Sequence, residues 1–67
     1  MTFMEARIIA ARSEIDAILV RVEGMKALNA RRIDRGETTA YNEEAFLAES
    51  ALIAGLAQEI MGFAQQL

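Results

Sequence analysis

The 67 residues leave room for one domain, and the absence of both cysteine and histidine removes disulfides and the common zinc sites as staples for it. At 54% apolar residues the chain is too hydrophobic for a disordered tail, yet so short a chain encloses too little interior for a sizeable core. The formal charge of −3 hides a division: residues 1–36 carry all seven cations against five anions, while residues 37–67 carry five glutamates and no cation. The two halves should attract when one folds back on the other, and oligomerisation is the staple that remains.

The first predicted helix runs from about residue 3 to residue 32. Met1, Met4, Ile8, Ala11, Ile15, Ile18, Val22, Met25 and Asn29 recur in alternating steps of three and four, an a/d heptad seam sustained over four heptads. Arg7, Glu14 and Arg21 take g positions, and Glu5, Arg12 and Lys26 take e positions, flanks of mixed sign that select a partner helix by charge. Leu19 and Leu28 widen the apolar seam. Asn29 falls on the seam at an a position. It is either a buried amide that fixes register or a half-solvated group where the seam opens towards the loop, and the second is expected. Gly24 costs the helix roughly 1 kcal/mol relative to Ala and is read as a tolerated, exposed site.

A loop over about residues 33–41 follows. Gly36 suits the left-handed conformation that ends a helix, and Arg31, Arg32 and Arg35 complement the negative end of the helix dipole. The second helix, about residues 42–66, has a readable start. Asn42 can cap it, and Glu43 and Glu44 place negative charge in its first turn. Its apolar arc, including Phe46, Ile53, Leu56, Ile60, Phe63 and Leu67, is wider than one partner helix covers.

The fold class expected is all-α, an antiparallel two-helix hairpin in one domain that dimerises into a four-helix bundle. A register in which paired residue numbers sum to about 75 would set Ile8 against Leu67, Ile15 against Ile60 and Lys26 beside Glu49. That pairing uses Phe46, Ile53, Ala57, Ile60 and Ala64. It leaves Leu52, Leu56 and Phe63, helped by Leu19 and Leu28, as the oligomer or partner interface.

No secretory signal is visible, because Glu5, Arg7 and Arg12 interrupt the first apolar run. Residues 45–64 approach the length of a membrane helix, but Glu49 and Glu59 would each cost about 2.5–3.5 kcal/mol near a bilayer centre. A soluble, cytoplasmic chain is the expectation, with no membrane partner.

Chemistry is poorly served. Ser13 and Ser50 have no adjacent base, there is no glycine-rich phosphate loop, and helical-bundle metal sites usually add a histidine three positions after a glutamate. The expectation is no enzyme, no catalytic residue, no cofactor and no metal. ARSEIDAILVRV, residues 11–22, resembles the first-helix segment of helical chorismate mutases, where an Arg precedes an Ile-Asp pair and a leucine-rich run. That activity is not carried over, since those enzymes use a third helix and the second helix here has no cation for a carboxylate substrate. Lys26, Arg31, Arg32 and Arg35 form the only basic cluster and are the candidate nucleic-acid contacts of a Rop-like regulator. Capping and salt bridging explain the same residues. The leading expectation is therefore a small protein–protein interaction module of adaptor, anti-activator or inhibitor type, acting as a homodimer. A Rop-like nucleic-acid regulator or an assembly subunit stands as the alternative.

Overall fold

The computed structural model describes residues 1–66 and consists of two packed α-helices, α1 from Phe3–Asp34 and α2 from Glu43–Gln66. Each begins with a side-chain cap. At α1, the Thr2 hydroxyl accepts from the Glu5 amide at 3.1 Å while the Glu5 carboxylate accepts from the Thr2 amide at 3.4 Å, a reciprocal capping box. At α2, the Asn42 carbonyl oxygen accepts from the Ala45 amide at 3.0 Å.

The end of α1 is a Schellman turn. The Gly36 amide donates to Ile33 at 2.9 Å and the Glu37 amide to Arg32 at 2.8 Å, which requires Gly36 at φ 76°. This stop comes two residues later than the expected end at Arg32.

Helix α2 lies along the row Ala11, Ile18 and Met25, which are 1%, 7% and 5% exposed and form the whole buried core among the described residues. These are the d positions of the heptads. The a positions Ile8, Ile15, Val22 and Asn29 are only half-buried. On α2 the half-buried residues include Phe46, Glu49, Ile53, Leu56, Ile60 and Phe63, again in alternating steps of three and four. Leu56 and Phe63 therefore belong to the helix–helix seam, while Ala64, expected there, is exposed.

The register also differs from the one expected. Glu49 pairs with Arg21, not Lys26, and Lys26 turns to Glu23 on its own helix at 3.0 Å. Pairs with numbers summing to 70 (Arg21 with Glu49) and 66 (Arg7 with Glu59) replace the sum of 75. The expected partner of Ile8, Leu67, lies outside the described residues.

The cause is the loop. It does not cross straight from one helix to the other but doubles back along the last turns of α1. The Asn29 carbonyl oxygen accepts from the amides of Ala40 and Tyr41 at 2.9 and 3.0 Å, and its NH2 donates to the Tyr41 carbonyl at 2.9 Å. Arg32 Nε donates to the Thr38 carbonyl at 2.9 Å. Pinned level with Asn29, the start of α2 is displaced by more than one helical turn relative to a loop that simply bridges the ends. Asn29 is half-buried, as expected where the seam opens towards the loop, and its amide bonds the loop and not a seam partner.

Candidate interaction surface

Two antiparallel helices make a slab with two broad faces, and the Cα trace measures 52 × 20 × 10 Å. The two faces differ in chemistry because antiparallel packing brings g rows together on one side and e rows together on the other. On the g side, Arg7 is ion-paired with Glu59, and Arg21 grips Glu49 with two guanidinium nitrogens, one at 3.0 Å. Glu49 occupies a seam position and its side chain is only 16% exposed, so Arg21 supplies the partner that an apolar neighbour would not. The hydrogen bond and charge of Glu59, with a smaller contribution from Glu14, raise the Arg7 pKa above its ordinary value. The hydrogen bond to Glu49 raises that of Arg21, burial opposes it, and the Glu49 charge adds to it. Both guanidiniums are therefore protonated at neutral pH, as an arginine is in any case.

Between the two ion pairs lies a groove of about 340 Å³ lined by Glu14, Ala17, Ile18, Arg21, Leu52 and Leu56. Its floor is aliphatic and its polar rim is a carboxylate and a guanidinium, with no nucleophile. No cluster of potential metal ligands exists among the described residues.

The other broad face carries the a and e rows. Ile8, Ile15 and Val22 of α1 lie beside Phe46, Ile53 and Ile60 of α2, all half-buried, with no inter-helix ion pair across them among the described residues. Leu19 stands at the α1 margin, 49% exposed. The α2 margin is the uncharged row Ser50, Ala57 and Ala64.

The residues singled out from the sequence are thus dispersed. Leu19 is on the open face. Leu52, 52% exposed, lines the groove on the ion-paired face, and Leu28, half-buried, occupies the g row of that face. Leu56 and Phe63 turn towards α1. The a-row residues, expected in the hairpin seam, are half-buried. Of the basic cluster, Lys26 holds Glu23, Arg35 holds Glu37 at 2.6 Å, and Arg32 is spent on the loop carbonyl; Arg31 is exposed. These groups are distributed among local tasks and form no continuous basic track.

By length and composition Glu43–Gln65 is a helix that could cross a membrane. Its two interior carboxylates, Glu49 and Glu59, are the ones gripped by α1 arginines. Comparison with known proteins gives no match to a family model, a curated protein or a solved structure.

Proposed function

We propose that this chain is a non-enzymatic protein–protein interaction module, of adaptor, anti-activator or inhibitor type, which acts as a homodimer in the cytoplasm. The observation that carries the reading is the open core. Three buried side chains are all that the described residues enclose, while two rows of isoleucine, valine and phenylalanine remain half-wet. Domains of this length ordinarily need an added staple, and here a second polypeptide supplies it. Nothing in the groove calls for catalysis: an aliphatic floor with one acid and one guanidinium at its rim suits a side chain of a protein partner.

Light scattering across a wide concentration range tests the reading. A constant mass of twice the 7.4 kDa chain is the expected result. Continuous growth into larger species would replace the modulator with an assembly subunit, and the single-chain mass at every concentration would remove the homodimer.

A further inference from the structure

We infer that the groove between the two ion pairs receives a lysine or arginine side chain of a partner protein, its alkyl stem on Leu52 and Leu56 and its cationic head on Glu14. This rests on the protein-interaction reading and gives the partner a chemistry. The g row of α1 carries three charges one heptad apart, Arg7, Glu14 and Arg21. Its two arginines each meet a glutamate of α2, Glu59 and Glu49. Midway between them, Glu14 would need a cation on α2, and that helix has none. Leu52 and Leu56 line the groove there instead. Glu14 is exposed and has no ion partner among the described residues. Its own helix offers none either, because Ala10, Ala11, Ala17 and Ile18 occupy the positions three and four away.

The same residues disfavour other occupants. An anionic group would have to displace Glu49 from the two guanidinium nitrogens of Arg21 and then lie beside Glu14. A purely aliphatic side chain would cover the leucines but strip water from an unpaired carboxylate. A long cationic side chain suits both parts, with methylenes on the aliphatic floor and a charged head at the rim. The volume of about 340 Å³ lies near the lower end of the range for small-molecule sites, about 300–1,000 Å³, and gives room for a side chain rather than a large cofactor. A partner cation on Glu14 would complete a row of three ion pairs along this face.

Hexylammonium, hexanol and hexanoate test the inference, because they share one alkyl chain and differ in charge. Each is titrated at low salt into the whole chain and followed by methyl NMR. The Leu52 and Leu56 methyls should report a dissociation constant about threefold lower for hexylammonium than for hexanol, with hexanoate weaker than both. Leu19 is as exposed as Leu52 but lies outside the groove, and its methyls should show no preference for charge. Glu14→Gln, a conservative change at an exposed helix position, should erase the difference between amine and alcohol. Glu14→Lys should make hexanoate the strongest of the three.

Equal affinities in the wild type, a preference for the amine that survives Glu14→Gln, or no shift with any probe would each overturn the inference. Any of those results beside a constant dimer mass would keep the interaction module and remove only this role for the groove. A monomeric chain that still selects the amine through Glu14 would remove the homodimer and keep the groove chemistry.

Discussion

Ile18→Ala should remove a large share of the chain's stability and lower its urea midpoint well below that of the parent. Ile18 is the central member of the three-residue core and 7% exposed, and deleting a buried isoleucine to alanine costs about 2–5 kcal/mol. The whole stability of a 67-residue domain is of order 3–10 kcal/mol, so the loss takes a large share of it. Val20→Ala removes a neighbouring side chain of similar size that is 73% exposed. Alanine is also the better helix former, so that variant should stay within about 0.5 kcal/mol of the parent. Urea denaturation followed by far-UV circular dichroism compares the two. Equal midpoints would mean that α2 does not pack on the Ala11, Ile18 and Met25 row.

Asn29→Ala should cost about 1–2 kcal/mol and disturb the loop before it disturbs either helix. One side chain makes three hydrogen bonds to Ala40 and Tyr41, each contributing about 1 kcal/mol net, and water can partly replace them in this exposed setting. The more specific readout is amide exchange. The Ala40 and Tyr41 amides should lose protection in Asn29→Ala, while those in the middle of α1 keep theirs. Asn29→Asp retains the acceptor oxygens but sets a carboxylate against the Tyr41 carbonyl, so it should restore amide protection only in part. Unchanged protection in Asn29→Ala would show that the loop is held back by something else.

Much of the fold can be read in the letters, and the exceptions have a common origin. The heptad seam of α1, the glycine stop at Gly36 and the Asn42 cap are local features, decided by periodicity and by orphaned backbone groups within one turn. The register is not local. By charge alone Glu49 suits Lys26 as well as Arg21, and a loop taken as a plain bridge favours Lys26. Only the backward course of residues 37–41 along α1, anchored on Asn29, turns the choice towards Arg21. On α2 the half-buried row runs through Leu56 and Phe63, and the exposed large apolar side chains are Leu47, Leu52 and Met61. The Thr2 and Glu5 capping box is equally local, carried by the T-x-x-E spacing of residues 2–5.

The central claim is that folding of this hairpin is completed by a second chain, and thermal melting as a function of concentration tests it most directly. If folding and association are coupled, a hundredfold dilution should lower Tm by about 5–10 °C through mass action. A Tm that stays constant across that range would contradict the account, because it would describe a hairpin that is stable alone with its isoleucines wet.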